Sequence, residues 1–261
     1  MGSATRQAQA ASVAALAASK RPDLALAEEL FQAARVIAGS AQLRGVLATA
    51  GEKDRASAVE AVFSTALSRP AVELITVAAQ QRWSTQDDLL AGIEELGLRA
   101  AADSAPADVD VERELFAFGS AVDSSDELEL AFGNSRIGPE AKAELVESLL
   151  AGKVSAQTLA IAKYLVQQPS RRIRRLIRQA ADIVADQAGK SLATVTAARP
   201  LAAEQLERLR AGLSRAFGRE LRINQVVDPE LVGGVRIRVG DDVIDGSIAS
   251  RLSELRLRLA G

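Results

Sequence analysis

The chain has 261 residues, 48% of them apolar but only 3% aromatic, and a formal net charge of −2. It contains neither cysteine nor histidine, which excludes disulfides, Cys or His metal sites, His-based triads and cysteine nucleophiles. The near-neutral balance removes any global pull toward nucleic acid or anionic membrane, and no apolar run reaches the roughly 18–20 residues that span a bilayer.

The Ala/Ser/Gln-rich start lacks the basic and apolar regions of a secretory signal, and Arg6 stands where a myristoylation motif needs Ser or Thr. A soluble, cytoplasmic product is expected. Abundant alanine favours helix. Residues 8–19 form a first helix candidate, interrupted at Pro22, with Asp23 placed to cap the next. Leu26, Leu30, Ala33, Ala34 and Ile37 then recur at helical spacing until Gly39-Ser40. Leu43, Val46 and Leu47 mark a short helix, and Ala58, Val59, Val62, Phe63 and Ala66 another, ended before Pro70. Leu74, Ile75 and Ala78 follow; Ser84 is the expected cap of a helix carrying Leu89, Leu90, Ile93 and Leu96. These are the stripes of amphipathic helices in a small bundle.

AADSAPADVD (Ala101–Asp110) reads as a linker, and after it the pattern restarts. Glu28–Phe31 (EELF) returns as Arg113–Phe116 (RELF), Leu43 and Leu47 as Leu128 and Phe132. Gln80-Gln81 returns as Gln167-Gln168, and Leu89-Leu90 as Leu176-Ile177. The order of stripes and breaks agrees along both halves, which is an internal repeat. The second copy ends in a segment with Arg171, Arg172, Arg174, Arg175 and Arg178 opposite Ile173, Leu176, Ile177, Ala180 and Val184. Such a face is either solvated or a site for phosphate, nucleic acid or an acidic protein partner; no aromatic is interleaved for base stacking.

From Ser191 the composition shifts. Leu192 to Ala197 alternates as a strand, Pro200 ends it, and Leu206, Leu209, Leu213 and Phe217 place a helix closed by Gly218. Period-two alternation resumes over Leu221–Val226 and Val235–Gly240, with Gly240-Asp241 turning into Val243 and Ile244. Ser247 can cap a last helix with Leu252, Leu255 and Leu259 on one stripe. The unit reads β-α-β-β-β-α. The expected architecture is mainly α: a helical bundle over 1–105, its repeat over 106–190, and a small α+β domain over 191–261.

Candidate chemistry is sparse. Gly233-Gly234 and Gly240 precede a strand instead of opening a helix, so they make a weak phosphate cradle. Asp241, Asp242 and Asp245 lack calcium-loop spacing. Asp228 and Asp245 could pair as acid and base, but each lies at a turn where Asp caps backbone amides. Trp83 and Tyr164 sit at bundle positions. No catalytic, cofactor or metal site assembles, which points to protein binding through grooves between helices.

One long stretch carries a resemblance. Ile223–Leu252 (INQVVDPELVGGVRIRVGDDVIDGSIASRL), with its Asp228-Pro229, Gly233-Gly234 and Asp245-Gly246-Ser247, resembles the C-terminal signature of the delta subunit of F-type ATP synthases. The mitochondrial counterpart in that family is the oligomycin sensitivity conferral protein. The likeness extends from about Val111 to the C-terminus; the first hundred residues depart from the short family pattern and are similar to the long form of high-GC Gram-positive bacteria. The resemblance implies a non-catalytic stator subunit without cofactor. It would bind alpha-subunit N-terminal segments and a b-type stalk subunit, touch no nucleic acid, and associate with the cytoplasmic face of the plasma membrane only through the complex. Whether the chain stands alone or is part of a b–delta fusion stays open. The rival reading is a nucleic-acid-binding or general helical adaptor using the Arg171–Arg178 helix. In either reading the five arginines and the stripe Leu252, Leu255 and Leu259 are the candidate partner-binding residues.

Overall fold

The computed structural model describes residues 2–19, 22–168, 172–188, 191–217, 221–229, 231, 233–239 and 242–245. Backbone contacts divide the chain into two compact units, one ending at Val184 and the other beginning at Ala185.

The first unit is built of helices: α1 (Ser3–Ala18), α2 (Leu24–Gly39), α3 (Ala41–Thr49), α4 (Glu52–Phe63), α5 (Arg69–Gln80) and α6 (Gln86–Asp103). They are followed by α7 (Val111–Asp123), α8 (Asp126–Gly133), α9 (Pro139–Leu150), α10 (Ala156–Val166) and α11 (Ile173–Gln187). Local chemistry sets the boundaries. Asp23 Oδ1 accepts from the Leu26 N–H at 2.8 Å and Ser40 Oγ from that of Leu43 at 3.1 Å, each satisfying a donor the first turn leaves unpaired. Pro70 sits in the first turn of α5, where its missing N–H costs nothing. The expected cap Ser84 is displaced by one residue: Thr85 Oγ1 takes the Asp88 N–H at 3.1 Å. Ser84 is held instead by Thr5 of α1, whose hydroxyl lies 2.9 Å from Ser84 Oγ and donates to Asp88 Oδ2 at 2.9 Å. The segment read as a linker is shorter than expected, because α6 runs through Asp103 and buries Ala101.

The stripe Leu26, Leu30, Ala33, Ala34 and Ile37 is buried as its spacing required, each large aliphatic contributing about 1.5–3 kcal/mol. Its main partner is α6, which also packs on α1, α3, α5 and α10. Close approach of α2 to α6 depends on Gly97, where an added Cβ would lie 2.7 Å from the Phe31 ring. The Phe31 ring also stacks on Tyr164 of α10, centroids 4.3 Å apart and planes 14° off parallel. Trp83 packs likewise: its ring covers Gly92 and its Nε1–H donates to Ala78 O at 2.8 Å.

Helices α2–α6 begin at 24, 41, 52, 69 and 86; α7–α11 begin at 111, 126, 139, 156 and 173, so counterparts stay 85 to 87 residues apart. The residues before them pair as Asp23 with Asp110, Ser40 with Ser125, Gly51 with Gly138, and Ser68 with Ser155. A long-range contact also recurs. Glu29 on α2 accepts from Ser68 N–H at 3.1 Å and Ser68 Oγ at 2.5 Å. Glu114 on α7 accepts from Ser155 N–H at 3.0 Å, Ser155 Oγ at 2.6 Å and Thr158 Oγ1 at 2.5 Å.

The second unit holds β1 (Ser191–Ala197), α12 (Ala203–Phe217), β2 (Leu221–Val227), β3 (Val235–Val239) and β4 (Asp242–Asp245), in sheet order β2-β1-β3-β4. β1 runs parallel to β2, Ala193 opposite Ile223, and antiparallel to β3, Val195 opposite Ile237. Parallel neighbours require a crossover, which α12 provides. Ala193, Val195, Leu213, Leu221, Ile237 and Val239 form its core, with Leu201, Leu209, Ile223 and Val235 packed on it. The chain is thus mainly α with a small α+β part near the C-terminus. Gly246, Ser247, Leu252, Leu255 and Leu259, and with them the expected last helix, lie outside the described residues, as do Gly240 and Asp241.

Candidate functional site

The motif residues of the sheet unit shape its turns. The Asp228 N–H donates to Ala197 O at 2.9 Å, extending the β1–β2 ladder, and its own carbonyl accepts from the Leu231 N–H at 3.1 Å around Pro229. Gly233 and Gly234 then take φ of 126° and 81°, a region that side chains rarely tolerate. These glycines return the chain into β3. Asp228 follows β2 and Asp245 ends β4, the two opposite edges of the sheet. Three strand spacings, about 14 Å, separate those edges, so the two residues do not come together; Asp228 sits at a backbone turn, whereas Asp245 is the last residue of β4 and is paired with Arg236. Among the described residues no three Asp or Glu side chains gather in a way that could hold a metal ion.

The arginines of the 171–178 segment fall into two groups. Arg174 reaches back across the bundle, its Nε 3.1 Å from Asp123 Oδ1 and its Nη2 2.5 Å from Glu129 Oε2, and so ties α11 to the α7–α8 corner. Arg172, Arg175 and Arg178 are exposed, while Ile173, Leu176, Ile177, Ala180 and Val184 are buried. At steps of three these arginines share one face and span about 9 Å of helix. None has an ion-pair partner among the described residues. Arg171 lies outside the described residues.

A groove absent from the sequence reading lies on the first set of helices. It lies open to solvent between α4 and α5, has a volume of about 780 Å³ and is lined by Glu60, Ser64, Leu67, Arg69, Val72, Glu73, Thr76 and Val77. One lip is closed by Arg69, whose Nε lies 2.8 Å from Glu73 Oε1. The Glu73 hydrogen bond and charge, with a smaller contribution from Glu60, hold the Arg69 guanidinium above its ordinary pKa. Only the packing of α4 against α5 reveals this groove; neither helix alone carries a sign of it.

The family model for the ATP synthase delta (OSCP) subunit matches residues 96–259. The ATP synthase subunit delta of Leifsonia xyli subsp. xyli is 56% identical over 265 residues, covering 100% of both chains. This chain belongs to the ATP synthase delta (OSCP) subunit family. The Streptomyces avermitilis ATP synthase subunit delta is 37% identical over 242 residues, with 90% of this chain and 88% of that one covered. A chain from the cryo-EM structure of the Toxoplasma gondii mitochondrial ATP synthase hexamer matches at 23% identity and a TM-score of 0.42, over 64% of this chain and 95% of that one. Membership makes the chain a non-catalytic component of the synthase's peripheral stalk. Among the described residues no helix is long and apolar enough to cross a membrane.

Proposed function

We propose that the chain joins the catalytic head of a proton-translocating F-type synthase to its b-type stalk and resists the torque of the rotor. In this reading alpha-subunit N-terminal segments dock on the helical unit, and the C-terminal unit grips the stalk at the cytoplasmic face of the plasma membrane. The observation that carries it is the 56% identity to a delta subunit over the whole of both chains. The physical demands agree with it. A stator must be stiff, and amphipathic helices with a packed sheet provide stiffness and grooves without a cofactor. The matched helix starts, the matched caps and the recurrent Glu–Ser contact support descent of α2–α6 and α7–α11 from one duplicated unit. The stripe Arg172, Arg175 and Arg178 supplies a docking face for an acidic helix, on which carboxylates at steps of three or four meet guanidiniums. The lack of an interleaved aromatic and the chain's charge of −2 favour such a partner over nucleic acid.

Depleting the chain from cells and purifying synthase from their membranes tests the reading. The head should detach from the membrane sector and ATP-driven proton pumping should be lost. A complex that stays assembled and coupled without this chain sinks the proposal.

A further inference from the structure

We infer that the groove between α4 and α5 docks an amphipathic partner helix that presents one Lys or Arg within its apolar stripe. The argument comes from comparing the two helix sets. In the second set, the positions matching Glu60 on α4 and Thr76 on α5 are Glu147 on α9 and Lys163 on α10. There the cation is built in: Lys163 Nζ lies 2.5 Å from Glu147 Oε2 and joins the two helices across the cleft. In the first set the carboxylate is retained, but the cation is replaced by a half-buried threonine. Arg69, the groove's one cation, is already engaged by Glu73, four residues further along α5. The lining therefore holds two carboxylates against one guanidinium, and an incoming ammonium or guanidinium beside Glu60 balances it.

Shape agrees with charge. Arg69, Val72, Glu73, Thr76 and Val77 lie on one face of α5 and extend about 12 Å along it, two helical turns. Leu67, Val72 and Val77 give the floor an apolar strip that suits side chains at i, i+3 and i+4 of a partner. In the second set Lys163 occupies the matching place and spans the corresponding cleft to Glu147.

A photoreactive benzophenone side chain placed at Ser64, on the groove's lip, tests this in the full-length chain. Irradiation of intact cells traps the neighbour before any purification, and the adduct is sequenced by mass spectrometry. The expected product is a peptide with one Lys or Arg flanked by apolar residues at helical spacing. Thr76→Lys, which installs the second set's internal cation, should cut adduct yield roughly fivefold or more; Glu60→Gln should weaken it, and Thr76→Val should leave it unchanged. Matching melting temperatures for the variants exclude misfolding as the cause. No adduct, an adduct with a second copy of this chain, a peptide without a basic residue in its apolar stripe, or a yield indifferent to Thr76→Lys would each overturn the inference. The adduct is read without reference to synthase assembly. A chain that forms it yet fails to co-purify with the synthase refutes the stalk reading and leaves the groove standing.

Discussion

Replacing Glu114 by alanine probes the contact that recurs between the two helix sets. Its Oε2 is the acceptor for the Ser155 N–H, the Ser155 hydroxyl and the Thr158 hydroxyl. Hydrogen bonds to a charged acceptor are worth about 1.5–3 kcal/mol each, and Thr158 is fully buried, so its hydroxyl loses its carboxylate acceptor without access to water and keeps only Ser155 Oγ, 3.1 Å away. Two factors limit the loss. Ser155 keeps its cap on the Thr158 N–H at 3.2 Å, and three bonds to one oxygen are not additive. A cost of about 3 kcal/mol results, which in a unit of this size lowers Tm by about 6–12 °C. Glu29→Ala is the internal control. It removes two bonds to Ser68 at an exposed site and should cost about 1 kcal/mol, or about 2–4 °C. Glu114→Gln keeps an acceptor oxygen and should fall between. Thermal unfolding of the full chain, followed by circular dichroism, measures all three. A Glu114→Ala protein that melts with the wild type, or a Glu29→Ala protein that loses as much, would refute the reasoning from burial.

Further outcomes follow from other sites. Gly97→Ala forces a methyl to 2.7 Å from the Phe31 ring and should destabilise by about 1–3 kcal/mol, read by urea denaturation. Gly233→Ala, at φ 126°, should cost about 1–3 kcal/mol and loosen the second unit, measured by amide exchange in β3. Arg174→Ala removes a partly exposed double ion pair and should cost at most about 1 kcal/mol. Triple reversal of Arg172, Arg175 and Arg178 to Glu should leave Tm unchanged but abolish binding to an acidic partner helix in a pull-down. The Glu207 carboxyl is held below its ordinary range by a hydrogen bond from Arg210 and then by its charge. Its favourable contact is therefore present above the unfolded value and lost as pH falls through the lower folded one. Arg210→Ala should move the titration upward in a carbon-detected NMR experiment.

The helical architecture was legible because apolar residues at steps of three and four must face a common core; Leu30, Ala34 and Ile37 needed no tertiary information. The Asp228-Pro229 and Gly233-Gly234 turns were legible because few residue types satisfy their backbone. The cap at Thr85 was missed because Ser84 is an equally good capper until Thr5, 79 residues earlier, takes it. The parallel pairing of β1 with β2 was hidden, since alternation gives a strand's faces but not its neighbours. Arginine spacing alone could not separate Arg174 from Arg172, Arg175 and Arg178: the difference lies in Asp123 and Glu129, supplied by other helices. The α4–α5 groove depends wholly on which helices meet.

Helix α6 has a mechanical consequence. It is the last helix of the first set, yet it also touches α10 of the second, while Phe31 of α2 stacks on Tyr164 of that same α10. The loop over residues 104–110 is therefore not a hinge, because load passing from one helix set to the other is carried by an 18-residue helix and an aromatic stack in parallel with it. A spring made this way stretches by bending packed helices instead of uncoiling a linker.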